Sequence, residues 1–173
     1  MVKSTCKLLE ALWLDTHTWI IRSSNNGVSY KEFKWPPIGK WIECQDWNPL
    51  SECGGGFHGE TPKHNGFGMQ YIRPELVEYQ GECISIDGNK VKVRHARIVA
   101  VGADIPREAL ERCNYNVAMF GEVLILGEKE RGVCFGGEVT VNKGGECWNV
   151  SGGAVTVNKG GCCLNVSVGE VTV

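Results

Sequence analysis

Hydrophobic and polar residues alternate in short runs through the last third of the chain, and the runs recur with a period of 16 residues. Gly-Glu-Val begins at Gly121, Gly137 and Gly169, and Gly-Ala-Val stands at Gly153. From Gly136 to Ser151 and again from Gly152 to Ser167 nearly the whole unit repeats. Each unit holds two alternating runs, such as Val139-Thr140-Val141 and Trp148-Asn149-Val150, bounded by the pairs Gly144-Gly145 and Gly152-Gly153. Period-two alternation predicts strands with one buried face, and a fixed period predicts coils stacked at strand spacing, about 4.8 Å apart. The expected fold class is therefore mainly β: a small β-rich α+β domain over residues 1–112, then a short β-solenoid with a 16-residue coil over residues 113–173.

Stacking places equivalent residues above one another. The expected inward ladders are Val123, Val139, Val155, Val171 and Ile125, Val141, Val157, Val173 on one sheet. On the other sheet Ala118, Cys134, Val150 and Val166 form the ladder, widened by Trp148 and Leu164. Thr140, Thr156, Thr172 and the pair Asn149, Asn165 then point outward. An antiparallel meander is the competing arrangement, but one layer would leave a valine face and Trp148 uncovered. The final unit stops at Val173, halfway round a coil, so an open end is expected to pair with another copy, with a partner or with further residues of a longer chain.

Before the repeat, Trp19–Arg22 and Val28–Tyr30 flank Ser23-Ser24-Asn25-Asn26-Gly27 and read as a hairpin. Cys83–Ile86, a turn at Asp87-Gly88, and Val91–Arg94 running on to Ile98–Val101 read as a second. Ile105–Arg112 follows Asp104, with proline in its first turn, so a short helix capped by Asp104 is expected to join the two parts. Little other helix is expected.

Composition narrows the setting more than the function. Hydrophobic residues at 42% and charged residues at 22% are ordinary for a globular chain, and no apolar run reaches membrane-spanning length. The opening Met-Val-Lys-Ser-Thr-Cys-Lys carries no apolar leader core. A net charge of −2 argues against a dedicated nucleic-acid binder. The 9 cysteines are odd in number and several occupy ladder positions, which favours reduced thiols and a cytoplasmic setting; Cys147 and Cys163, one period apart, should stack.

The most site-like chemistry lies between the hairpins, from Asp46 to about Asn65. Gly54-Gly55-Gly56 stands between Cys53 and His58, with Cys44 and His64 nearby. Three chemistries compete with a purely structural loop. Cys44, Cys53, His58 and His64 are donor types suited to zinc, although their spacing fits no common finger. Cys53 and His58 are a candidate nucleophile and base, without an identifiable third group. Gly54, Gly55 and Gly56, helped by Lys63 or Arg94, could cradle a phosphate-bearing ligand. His58-Gly59-Glu60 lacks the P-C-x-x-C partner of zinc deaminases, and His-Glu-x-x-His is absent from the chain. Lys90, Lys92 and Arg94 alternate along one strand and predict a basic, solvated face, with a bulge before His95 and Arg97. Trp35, Trp41 and Trp47 predict core and corner packing.

Asp46-Trp47-Asn48-Pro49, Cys53-Gly54-Gly55-Gly56-Phe57-His58 and Lys90-Val91-Lys92 through Arg97-Ile98-Val99 resemble segments shared by a group of uncharacterised bacterial and phage-borne proteins, over roughly residues 18–102. The resemblance implies a prokaryotic or phage cytoplasmic setting and a shared small β-rich domain. It carries no activity. The functional expectation is a non-enzymatic interaction or scaffold protein, binding a protein partner or itself through its coils, with no cofactor and no membrane. The alternative is a small enzyme or a metal- or phosphate-ligand-binding domain at the Cys53–His64 loop. A narrow surface-binding role for the threonine ladder is a third, minor reading.

Overall fold

The computed structural model describes residues 2–29, 32–66 and 68–173. It is mainly β and ends in a β-solenoid of about 4 turns. The chain opens with a helix that the strand-centred reading missed, α1 (Val2–Thr16). Its last turn packs Leu14 into the core, and the Trp19 indole donates to Leu14 O at 2.9 Å, tying the helix to the first strand.

Five strands make the N-terminal sheet: β1 (Trp19–Ser24), β2 (Ile42–Glu43), β3 (Phe57–Gly59), β4 (Arg73–Ile86) and β5 (Lys90–Val101). The order is β1-β4-β5, with β2 and β3 both on the far edge of β5. Glu60, directly after β3, then exchanges backbone hydrogen bonds of 2.7 and 2.8 Å with Ile21 of β1. That bridge closes the sheet into a small ring, and closure removes the free edges that would otherwise invite pairing. Ile20, Phe57, Val77, Val91, Val93 and Ile98 fill it, with Trp35 packed on Phe57 at a ring separation of 4.7 Å.

The β4–β5 hairpin turns at Asp87-Gly88 as expected, but the bulge before His95 falls on β4, where Gly81-Glu82 oppose Arg94, and a second irregularity leaves Val99 of β5 unpaired between Ile98 and Ala100. The first hairpin does not extend. Asn25 and Val28 close a tight turn over Asn26 and Gly27, but Val28 then pairs with Lys34. Both edges of β1 are already taken, by β4 and by the Ile21–Glu60 bridge, so no edge remains for a returning arm. Tyr30, assigned to that arm from the sequence, lies outside the described residues. Helix α2 (Arg107–Arg112) forms, but Asp104 does not cap it. Asp104 belongs to a separate 3-10 turn, Gly102–Asp104, and Pro106 occupies the cap position.

The C-terminal strands are β6 (Tyr115–Met119), β7 (Val123–Leu126), β8 (Arg131–Phe135), β9 (Glu138–Val141), β10 (Glu146–Val157), β11 (Cys162–Cys163) and β12 (Val166–Thr172). Every pairing between these named strands is parallel, so the coils stack and the meander is ruled out. β10 belongs to both sheets because it turns the corner at Gly152-Gly153. A Cβ at Gly153 would lie 2.0 Å from Gly137 O, and its φ is +84°, so only glycine lets the windings stack there.

The ladder Ala118, Cys134, Val150, Val166 is in register, as are Val139, Val155, Val171 and Val141 over Val157. The first winding departs from expectation. Leu124 and Leu126 stack on Val139 and Val141, while Val123 and Ile125 point to solvent, 71% and 63% exposed. The corner through Phe120, Gly121 and Glu122 carries one residue more than the Gly136-Gly137 corner, and an offset of one reverses strand parity. Trp148 is also displaced: the register slips between Cys147 and Asn149, which extrudes Trp148 onto the neighbouring core instead of widening the solenoid interior. Leu164 is 39% exposed.

Asn149 and Asn165 do leave the coil interior, yet Asn149 is fully buried and Asn165 half-buried. Val117, Val133, Phe135 and Trp148 from the same outer face pack with Leu14, Trp19, Met69 and α2 in one cluster. One outer face of the solenoid is thus a buried interface with the N-terminal part. The other carries Thr140, Thr156 and Thr172 in register, with Thr156 and Thr172 exposed and Thr140 half-buried. No helix among the described residues is long and apolar enough to cross a membrane.

Candidate functional site

The segment between β2 and β3 folds back on itself before it meets anything else. Asn48 N–H donates to Gly55 O at 3.0 Å, and the Asn48 side chain accepts from Leu50 N–H at 3.0 Å and donates to Glu52 at 2.7 Å. Gly55 has φ +54°, and a Cβ there would sit 2.6 Å from Asp46 O. The central glycine is therefore required by the loop's own closure, not by the approach of a ligand.

Lys92 holds this loop from below. The sequence predicted a solvated lysine, but Lys92 is fully buried, because the loop crosses directly over β5. Its ammonium donates to the carbonyls of Glu52 and Gly54 at 2.9 and 3.0 Å and lies 5.9 Å from the Trp47 ring centre. Lys90 extends to Cys53, donating to its sulfur at 3.4 Å, and Arg94 turns away to pair with Glu43 at 2.6 Å. Three alternating cations on one strand thus have three different fates.

Loop, β1 and the segment 68–71 enclose a cleft of about 650 Å³. Gly54, Gly55, Gly56, Cys53, His58, Cys44, Asp46 and Lys90 contribute one side, and Ile21, Arg22, Ser23, Gln70 and Tyr71 the other, over Phe33 and Phe57. Arg22 is a buried charge that the sequence did not mark. Its side chain is 9% exposed, lies 3.2 Å from Glu75 and stacks 4.5 Å above Trp35. Burial pulls its pKa down to about 10 even though Glu75 opposes the shift.

The titrating groups restrict the chemistry available. Cys44 donates to Asp46 at 2.9 Å, and burial together with that acid pushes its thiol up to about 12, so it stays protonated and is a poor metal ligand. His58 is depressed to about 4, chiefly by burial, then by Lys90, Lys92 and Arg22, with only Asp46 opposing. It is neutral at pH 7, and its Nε2 is buried without a hydrogen-bond partner among the described residues. The partner that the structure gives Cys53 is Lys90, and no hydrogen bond joins Cys53 to His58.

The loop's candidates thus divide. Gly54, Gly55, Gly56, Cys53 and His58 reach the cleft; Lys63, His64 and Arg94 do not line it. His64 sits in a turn with Thr61, its Nδ1 3.2 Å from the Thr61 hydroxyl, and Lys63 is exposed at that turn. Cys44, Cys53, His58 and His64 do not assemble, and no group of three or more His, Cys, Asp or Glu side chains that could hold a metal is found among the described residues.

Two buried networks fix the cleft's far wall. Glu60 accepts from Tyr115 at 2.6 Å and from Gly68 N–H at 2.8 Å, and pairs with Arg131 at 3.2 Å. The Asn149 amide donates to the carbonyls of Tyr71 and Ile72 at 2.8 and 3.0 Å, and Asn165 donates to Met69 O at 3.0 Å. The wall segment therefore hangs from the solenoid's outer asparagines. Comparison of the chain with protein-family models, with curated proteins and with solved structures finds no match.

Proposed function

We propose that the protein binds a small anionic ligand with a flat apolar part in the cleft between the Gly54–Gly56 loop and β1, and that the solenoid acts as a rigid buttress for that cleft. The observation carrying this reading is the set of charged and apolar groups that line the cleft. Arg22 and Lys90 line it beside the Gly54–Gly56 loop, while its two acids are engaged, Asp46 by the Cys44 thiol and Glu60 by Arg131 and Tyr115; Lys90, Lys92 and Arg22 add, after burial, to the depression of His58. Such a field, walled by low-dielectric packing, favours an anion. The floor of Phe33 and Phe57 offers an apolar surface for the rest of the ligand, and a cleft of about 650 Å³ is the size that small-molecule sites take.

Calorimetric titration with phenyl phosphate and with inorganic phosphate tests it. Phenyl phosphate should bind the tighter of the two, and Lys90→Gln should weaken it about tenfold at low salt while leaving the circular dichroism unchanged. Absence of binding by either probe, or equal affinity in Lys90→Gln, would remove the reading.

A second reading, a protein-interaction scaffold that self-associates, draws on a separate observation. Phe120, Val123 and Ile125 are 90%, 71% and 63% exposed, and the two aliphatics lie on the solenoid sheet that the N-terminal part leaves uncovered. Contiguous exposed apolar side chains of this kind mark contact surfaces. It requires concentration-dependent association in sedimentation velocity that Ile125→Lys abolishes. A monomer at every concentration, unchanged by the substitution, would eliminate it.

A further inference from the structure

Two cysteines inside the solenoid stand in a relation the cleft does not use. Cys147 and Cys163 are register partners on adjacent parallel strands, β10 and β11. Adjacent strands lie about 4.8 Å apart, within the 4.4–6.8 Å Cα separation that disulfides span. Both side chains face the coil interior in one core cluster, where Cys147 is fully buried and Cys163 half-buried. The other neighbours are committed or turned away. Cys134 lends its sulfur to the carbonyls of Gly137 and Gly152, both at 3.4 Å, and Cys162 is exposed, on the opposite side of the strand from Cys163. β11 is two residues long and, among the described residues, pairs only with β10, so the small shift that closes a bond involves a single short strand.

We propose that Cys147 and Cys163 are a redox modification site: a peroxide oxidises Cys163, and Cys147 resolves it to a disulfide that staples one solenoid winding to the next. Cys163 is the half-buried thiol that a peroxide can reach and Cys147 is the fully buried one, which makes Cys163 the attacking sulfur; the Cys147 thiol beside it lowers the Cys163 pKa and is itself raised, in the same sense. The Cys163 thiolate attacks one oxygen of hydrogen peroxide, the O–O bond breaks, and the departing hydroxide takes a proton to leave as water. The Cys147 sulfur then attacks the resulting sulfenic acid, an S–S bond forms, the S–O bond breaks, and the Cys147 proton leaves with the hydroxide as a second water. Two thiols lose two electrons and one peroxide becomes two waters. A dithiol reductant reverses the process by thiol–disulfide exchange.

The test treats the reduced full chain with equimolar hydrogen peroxide, blocks the remaining thiols, and maps peptides by mass spectrometry without reduction. The expected product is a Cys147–Cys163 cross-link, with both thiols regained after dithiothreitol. Cys163→Ser should abolish it and leave Cys147 as a free thiol, whereas Cys162→Ser should leave the cross-link at its original yield. In the wild type the melting temperature should rise on oxidation and return on reduction, and in Cys163→Ser it should not move. Cross-linking of Cys163 to any other cysteine, oxidation of Cys163 to the sulfinic acid with Cys147 untouched, or an unchanged yield in Cys163→Ser overturns the proposal.

Discussion

The N-terminal ring and the C-terminal solenoid are both β structures, but they bury different things. The solenoid interior is a stack of apolar side chains, Val139, Val141, Val150 and Val155, with thiols between them. The ring buries charge: Glu60, Glu75 and Lys92 are 2%, 0% and 0% exposed, and each is answered by a guanidinium, a tyrosine or backbone carbonyls. A repeating coil spreads its stability over many equivalent contacts and leaves little room for particular chemistry. An irregular closed sheet concentrates stability in a few networks that must be fully satisfied, and those networks hold the walls of the cleft. The two regions meet where an outer face of the coil becomes a wall support.

That contrast can be broken at several points. Val155→Asp should have the largest effect, because it puts an unpaired carboxylate into a ladder position that is 1% exposed. We expect a loss of about 4 kcal/mol or more, seen as collapse of the cooperative transition in thermal denaturation. Similar stability to wild type would mean that the coil interior is misassigned. Glu60→Ala attacks the ring–coil junction instead and strands Arg131 in a site where its side chain is 15% exposed. Its cost should be about 3–5 kcal/mol in urea titration, and a cost below about 1 kcal/mol would show that the network is incidental.

Acid should weaken the ring through His58. The unfolded chain protonates this residue near pH 6.5, the folded ring only near pH 4, so the unfolded state binds the extra proton between those values. Stability is whole above pH 6.5 and is lost as pH falls toward 4, by about 2–3 kcal/mol after discounting for the ring's partial exposure. His58→Gln should flatten that part of the profile. An identical pH dependence in the variant would contradict the assignment. Asn149→Ala should cost about 1–3 kcal/mol and should speed amide exchange in the segment 68–72, because it releases the carbonyls of Tyr71 and Ile72. Thr156→Asp, one residue along from Val155 and facing water, should change stability by no more than about 0.5 kcal/mol.

How much of this was legible in the sequence depended on repetition. From Gly136 to Ser167 one unit reads against the next, and the ladders of Val139, Val150 and Val155 follow directly. The first winding offered the same Gly-Glu-Val triplet, but the extra corner residue reversed its parity, and the motif match concealed the insertion. Parity sends Asn149 out of the coil without saying what lies there; its burial comes from Tyr71 and Ile72, far away in the chain. Lys92 fitted a solvated alternating strand until the loop above it was in place. The Glu60, Tyr115 and Arg131 network joins residues with no local pattern in common, so no reading of spacing could assemble it. Helix α1 has no clean apolar stripe to announce it: Leu9 and Leu12 stand at helical spacing with Trp13 but are 62% and 57% exposed, and it is Leu14 that is buried.

Hydrogen-exchange mass spectrometry of the full chain with and without phenyl phosphate bears most directly on the division between site and support. The account predicts slowed exchange in the segments carrying Cys53 to His58 and Gly68 to Tyr71, with the coils from Glu138 to Thr172 unchanged. Protection centred on the coils, or none in the cleft segments at saturating probe, would contradict it.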